Sequence, residues 1–249
     1  MADIAEIPLI EVRGVTFGYG REVVLDNVDL DIQARDFLAV IGPNGGGKTT
    51  LVKVILGLLR PWSGEVIRRV DPGRLGYVPQ FSTFDKSFPL RVSDVVLMGK
   101  LGRRGLFQRY SREDREDVER ILGRLKLSSV SRSHVAEISG GQLQRVLIAR
   151  SLAADPEILF LDEPTASIDP ESREVLQQIL EELNRTIPIV VVTHDVTSMS
   201  SMVKRIACIN RRLFYHGEEI DQHVLEEVYG CPVELVAHGV AHRVLHHHH

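Results

Sequence analysis

Apolar positions in this chain fall into two kinds of run. Leu38 to Ile41, Ile158-Leu159-Phe160-Leu161 and Ile189-Val190-Val191-Val192 are short, continuous and bounded by glycine, proline or polar residues, which predicts strands buried on both faces of a parallel sheet. Between them apolar residues recur at helical spacing. Leu51, Val52, Val54, Ile55, Leu58 and Leu59 form one face, which Pro61 should end; Leu143, Val146, Leu147 and Leu152 belong to a second helix, and Val175, Leu176, Ile179, Leu180 and Leu183 to a third. Alternating strands and helices predict an α/β core.

Two stretches depart from this alternation. Ile10 to Val15, Val23 to Leu25 and Val28 to Ile32 predict short strands joined by Gly- and Asp-containing turns, an N-terminal antiparallel β subdomain. A further strand, Glu65 to Val70, follows the Ser63-Gly64 turn. From about 81 to 137 helical periodicity takes over, with Val92, Val95, Val96 and Met98 on a short helix and Val118, Ile121, Leu122 and Leu125 on a charged one that Ser111 and Asp114 open as a capping box. A basic, glycine-rich connection containing Gly99, Lys100, Gly102, Arg103, Arg104 and Gly105 lies between them. The segment reads as an α-helical subdomain inserted into the core. The expected organisation is one domain over 1–215 and a His-rich tail over 216–249.

Composition narrows the class. A chain of 249 residues suits one α/β domain with an insert or tail. Its 30 Lys and Arg against 34 Asp and Glu, a formal charge of −4, give no electrostatic reason to expect a nucleic-acid partner. The two cysteines, Cys208 and Cys231, are too few for a disulfide framework, which points to a reducing compartment. Neither a basic-then-apolar leader nor a run approaching ~20 apolar residues is present, so the expectation is a cytosolic chain or one held at a membrane by partners.

The chemistry is concentrated after the first buried run, in Gly42, Pro43, Asn44, Gly45, Gly46, Gly47, Lys48, Thr49 and Thr50. Gly at the first and sixth positions followed by Lys and Thr is the pattern of a polyphosphate-binding loop. Glycines 45 to 47 let backbone N–H groups turn inward around phosphates while the following helix points its positive end at them. Lys48 would bridge the outer phosphates and the Thr49 hydroxyl would ligate Mg²⁺.

Other candidates lie along the chain. Tyr19, in a Phe-Gly-Tyr-Gly turn, could stack on a base or be a plain turn aromatic. Ser139, Gly140, Gly141 and Gln142 open a helix with Ser139 as N-cap, a second helix end suited to an anion. Asp162 and Glu163 stand where a buried strand ends, the position at which α/β sheets bind ligands. There Asp162 would hold Mg²⁺ through its waters and Glu163 would act as general base on the attacking water. Asp169-Pro170 starts another helix. His194, just past the last buried strand, could touch a γ-phosphate or serve only structure.

Taken in order, these pieces resemble the nucleotide-binding subunit of ABC transporters over roughly residues 9 to 215. The resemblance implies a P-loop NTPase fold that binds ATP with Mg²⁺ and hydrolyses it. By position, it makes Tyr19 the adenine-stacking aromatic, residues 42–50 the Walker A loop and Gln80 the Q-loop glutamine, counted with Lys48, Glu163 and His194 among the catalytic residues and with Thr49 and Asp162 around Mg²⁺. Residues 138–142 are similar to the signature motif, Phe160 to Glu163 to the end of Walker B, Ser167-Ile168-Asp169 to the D-loop, and His194 to the switch histidine. Ile138 and Ile168 stand where the family commonly has Leu, apolar exchanges that leave the anion-binding groups intact.

The resemblance also implies partners: a second copy of the chain, whose signature motif completes the ATP site, transmembrane permease subunits, and indirectly a substrate-binding receptor. That would place the protein at the cytoplasmic face of the membrane. The segments from Asp85 to Val92 and Val95 to Gly99, and the tail from Tyr229 to Leu245 with Cys231, look like the zinc/manganese branch; importers of iron chelates or vitamin B12 share much of this texture. Phe81, Phe84 and Phe88 lie where the family docks a helix of the membrane subunit. Eight of the ten histidines follow His194, and His238, His242 and His246 have the i, i+4, i+8 spacing of a helical metal sensor, although a tag or solvated tail gives the same pattern. A soluble ABC ATPase or a non-catalytic module are the remaining classes.

Overall fold

The computed structural model describes residues 7–80, 89–103, 109–166, 168–194, 201–218, 234–238 and 241–245. Ser167, Phe81, Phe84, Phe88, Cys231, the 85–88 and 104–105 parts of the segments noted above, and the terminal histidines lie outside them. Two compact units divide the chain: Gly73–Ile187 forms one, and Met1–Pro72 with Pro188–His249 the other.

In the discontinuous unit, β1 (Ile10–Tyr19) lies between β2 (Glu22–Ile32) and β4 (Ser63–Arg68) in an antiparallel sheet. The expected Val23–Leu25 and Val28–Ile32 segments are one strand. Asn27, with φ 52, makes an irregularity between them rather than a turn, because the pairing with β1 resumes at Val15↔Val28. Beside this sheet, β3 (Phe37–Ile41) is buried at every position and pairs in parallel with β7 (Ile189–Val192) on one edge and β8 (Arg205–Asn210) on the other. β9 (Arg212–Gly217) runs antiparallel to β8.

Helix α1 (Lys48–Ile55) follows β3 and ends earlier than its apolar pattern suggests. Gly57, at φ 76, takes the left-handed position, while the Gly57 N–H donates to Val54 O at 3.0 Å and the Leu58 N–H to Lys53 O at 2.9 Å. That is a Schellman stop, so Gly57 terminates the helix before Pro61 is reached and Leu58 is left exposed. Across the unit, Arg205 of β8 donates to Asp36 at 3.0 Å, to Asp31 of β2 at 3.1 Å and to His216 of β9 at 2.7 Å. This network fastens β2 to the strands that carry the loop after β3.

The continuous unit holds β5 (Leu75–Val78) and β6 (Ile158–Asp162) in parallel register, with α2 (Val92–Met98), α3 (Arg112–Arg124), α4 (Gly140–Ala153) and α5 (Pro170–Asn184). Ser111 and Asp114 form the expected capping box, and Val118, Ile121, Leu122 and Leu125 are buried; Met98, expected on the apolar face of α2, is 39 % exposed. The tail residues 234–238 and 241–245 form an antiparallel hairpin of β10 (Glu234–His238) and β11 (Ala241–Leu245). His238 and His242 therefore lie on strands, not on the helix that their spacing suggested. Among the described residues no helix is long and apolar enough to cross a membrane, and no cluster of metal-ligating side chains occurs.

Candidate nucleotide site

The loop 42–50 is built by backbone geometry that only glycine permits at its two ends. Gly42 has φ 147, and a Cβ there would fall on the Ile209 carbonyl oxygen; Gly47 has φ 97, and its Cβ would stand 2.8 Å from Leu25 Cδ2 and from the Val24 carbonyl oxygen. Between them the Gly46 N–H donates to Pro43 O at 3.0 Å, and the Gly46 carbonyl accepts from the Arg211 N–H at 2.9 Å. Asn44 and Gly45 are exposed at the tip. Gly47 stands at the N-cap of α1 and, being glycine, puts no side-chain acceptor of its own over the first turn, which carries Lys48, Thr49 and Thr50. Such a start suits an anion.

Lys48 is only 7 % exposed, and its Nζ donates to the Gly42 and Pro43 carbonyls at 2.8 and 2.9 Å. Its ammonium is thus held across the mouth of the loop, where phosphate oxygens could replace those carbonyls as acceptors. Parallel pairing of Val40 with Val192 puts Gly42 and the exposed His194 two residues beyond paired positions, at the carboxyl ends of neighbouring strands. Tyr19 pairs with Glu22 at the end of β1, three residues along β2 from the Leu25 that abuts Gly47. Tyr19 is 52 % exposed and meets Phe17 edge to face at 5.1 Å.

A matching arrangement occurs in the continuous unit. Val78 pairs with Leu161, so Gln80 and Glu163 each lie two residues past a paired position at the ends of β5 and β6. Asp162 is 4 % exposed and accepts a long hydrogen bond, 3.4 Å, from the Tyr77 hydroxyl. Burial first, and then the Asp162 charge, push the Tyr77 phenol up to about 12, so it remains a donor throughout the neutral range. Glu163 has φ 50, a left-handed conformation that costs a non-glycine residue about 1–2 kcal/mol, and it turns the chain away from the strand direction directly after Asp162.

Ser139 caps α4 as expected. Its Oγ accepts from the Gln142 N–H at 3.1 Å while the Gln142 side chain accepts from the Ser139 N–H at 2.9 Å. The intervening amides, of Gly140 and Gly141, are among those a helix start cannot pair with its own carbonyls. Asp169 likewise caps α5 by accepting from the Ser172 N–H at 2.8 Å, which holds its carboxyl below the usual range. Arg145, which the sequence did not single out, is buried in α4 and donates to the Leu125 and Lys126 carbonyls at 3.0 and 3.3 Å, tying α4 to the end of α3. Tyr77 was missed as well; its only sequence signal is an aromatic hydroxyl on a strand leading to Gln80.

The oxygen donors expected around Mg²⁺, Thr49, Gln80 and Asp162, fit a hard cation by type. The buried Asp162 carboxylate at a strand end is the strongest of the three.

The chain is similar over most of its length to ATP-binding proteins of metal transport systems. The zinc uptake system ATP-binding protein ZurA of Listeria monocytogenes is 36% identical over 230 residues, covering 88% of this chain and 90% of its own. The manganese transport system ATP-binding protein MntB of the same organism is 37% identical over 239 residues, covering 92% and 99%. A solved inward-facing ABC transporter, assigned to the metal-chelate type, superposes with a TM-score of 0.85 at 25% identity, covering 96% of this chain and 98% of that one. With the ABC transporter pattern matching residues 25–166 as well, the chain belongs to the ABC transporter family.

Proposed function

We propose that this chain is the ATP-hydrolysing subunit of an importer for a divalent metal ion, zinc or manganese. The ABC ATPase domain supports hydrolysis of ATP coupled to transport, and cassettes of importers work as dimers with membrane permease subunits. The observation that supports the catalytic part is the loop 42–50, with its glycine-dependent walls and a buried Lys48 whose ammonium bonds the Gly42 and Pro43 carbonyls at the start of α1. For the cargo, the support is similarity over nearly the whole length to zinc and manganese uptake proteins.

In this reading Tyr19 stacks on the adenine, the 42–47 amides and Lys48 bind the phosphates, and Gln80 and His194 contact the γ-phosphate region. Thr49, Asp162 and Gln80 would hold Mg²⁺, which neutralises phosphate charge. Glu163 takes the proton from the attacking water. Ser139, Gly140, Gly141 and Gln142 serve the ATP of a second copy. One helix end contributes only about 0.3–2 kcal/mol to an anion, so dimerisation needs two such sites and lasts while the γ-phosphates do.

The test is uptake into proteoliposomes holding this chain with its membrane subunits and receptor, assayed with zinc, manganese, a ferric chelate and vitamin B12. ATP-dependent uptake of zinc or manganese alone is expected. Uptake confined to the ferric chelate or vitamin would transfer the chain to those importers, and ATPase activity indifferent to any membrane partner would favour a soluble ATPase.

A further inference from the structure

Trp62 is the chain's only tryptophan and is 51 % exposed, an unusual outlay of apolar surface at the start of a strand. It is not loosely placed. Its N–H donates to the Thr16 carbonyl at 2.8 Å, where Thr16 pairs with Ser63, so the backbone of Trp62 is fixed beside the last turn of β1. The indole ring lies against Gly18: a Cβ built there would stand 2.5 Å from Trp62 Cη2 and would overlap the Glu22 carbonyl. Glycine at 18 is therefore required first by the Glu22 backbone carbonyl, 2.1 Å from such a Cβ, and its absent side chain leaves room for the indole to lie against the strand. Trp62 also packs on Phe17 at 6.2 Å between ring centroids, and Phe17 in turn meets Tyr19 edge to face at 5.1 Å.

Three aromatic rings thus form a chain, with the buried Phe17 between two half-exposed rings. We infer that Trp62 is a positioning residue for the nucleotide base: it braces Phe17 and the Gly18 backbone, and so fixes the plane that Tyr19 presents. The inference rests on the reading of Tyr19 as the base platform. Its physical content is preorganisation, since Phe17 meets the Tyr19 ring edge to face and Trp62 packs on that same Phe17. A braced platform strengthens binding to the base and leaves binding to phosphate untouched.

The experiment compares ADP with inorganic pyrophosphate by titration calorimetry on the full chain, since pyrophosphate occupies the loop but lacks a base. Trp62→Ala should weaken ADP by about 3- to 10-fold, the scale of one aromatic pair, and leave pyrophosphate within about twofold. The ATPase KM should rise by the same factor with kcat within about twofold, and Trp62→Phe should restore both. Tyr19→Ala should weaken ADP by about tenfold or more with pyrophosphate unchanged. If Tyr19→Ala leaves ADP affinity unchanged, the reading of Tyr19 fails and this inference with it. If Tyr19→Ala weakens ADP and Trp62→Ala does not, Trp62 has no positioning role although Tyr19 remains the platform. Equal loss of ADP and pyrophosphate in Trp62→Ala would show a general structural effect and overturn the inference.

Discussion

Gly141 lies so close to Ser172 that a Cβ on the glycine would fall on the serine's Cβ and Oγ, with Ser172 Cα 3.7 Å away. The first turn of α4 is therefore seated on the first turn of α5, and the caps Ser139 and Asp169 hold neighbouring helix starts. Gly141→Ala should destabilise the chain by about 1–3 kcal/mol in urea unfolding, the usual cost of overpacking. Removing the atoms that the methyl group meets, with Ser172→Gly in the same chain, should recover a coupling of about 0.5–3 kcal/mol. Strict additivity of the two changes would show that packing is not why glycine stands there.

Glu163 holds a left-handed backbone next to the buried Asp162. Glutamine keeps that conformation at the same backbone cost and removes only the basic oxygen. Glu163→Gln is expected to leave ATP affinity unchanged and to cut turnover by about 10²–10⁴-fold. On gel filtration with ATP the variant should run as a dimer and without ATP as a monomer. Near-normal turnover would remove Glu163 from the role of general base.

The parts that the sequence made legible are those whose causes are local. The loop 42–50, the Ser111, Ser139 and Asp169 caps and the fully buried β3, β6 and β7 each depend on residues within a few positions. The end of α1 was also local, yet Gly57 acts before Pro61, and apolar periodicity alone does not show which breaker comes first. Tyr77, Arg145 and Trp62 were illegible for a different reason. Tyr77 finds Asp162 across 85 positions and Arg145 finds the end of α3 across 20, while Trp62 reaches Phe17 through the β1–β4 pairing. Such relationships exist only once the strands are in register.

Lys48 is tied to its own loop by two hydrogen bonds to carbonyls, so its removal affects both the empty and the occupied loop. Lys48→Ala should weaken ADP and ATP by about 10- to 150-fold, the range for losing hydrogen bonds from a charged group. Titration calorimetry with pyrophosphate should show the same loss, because the contact is to phosphate and not to base. Unchanged affinity would count against the loop as the phosphate site.

A pH dependence follows from His216. Its Nε2 accepts from the Arg205 guanidinium at 2.7 Å and its Nδ1 faces Asp31 at 3.4 Å, an arrangement that suits the neutral ring. Burial, then the Arg205 charge, lower its pKa to about 4, against partial opposition from Asp31. Since the folded-state value lies below the ordinary one near 6.5, the unfolded chain takes up the proton first on acidification. The stabilisation is complete above about pH 6.5 and is lost as the pH falls towards 4. His216→Gln, which cannot titrate but can still accept from Arg205, should narrow the drop in melting temperature between pH 7 and pH 4.5 relative to the parent chain. The comparison must be made as a difference between the two chains, because the buried Asp36, which Arg205 also contacts, has its pKa raised by burial and acts with the opposite sign. An identical drop in both would show that His216 is not what senses the proton.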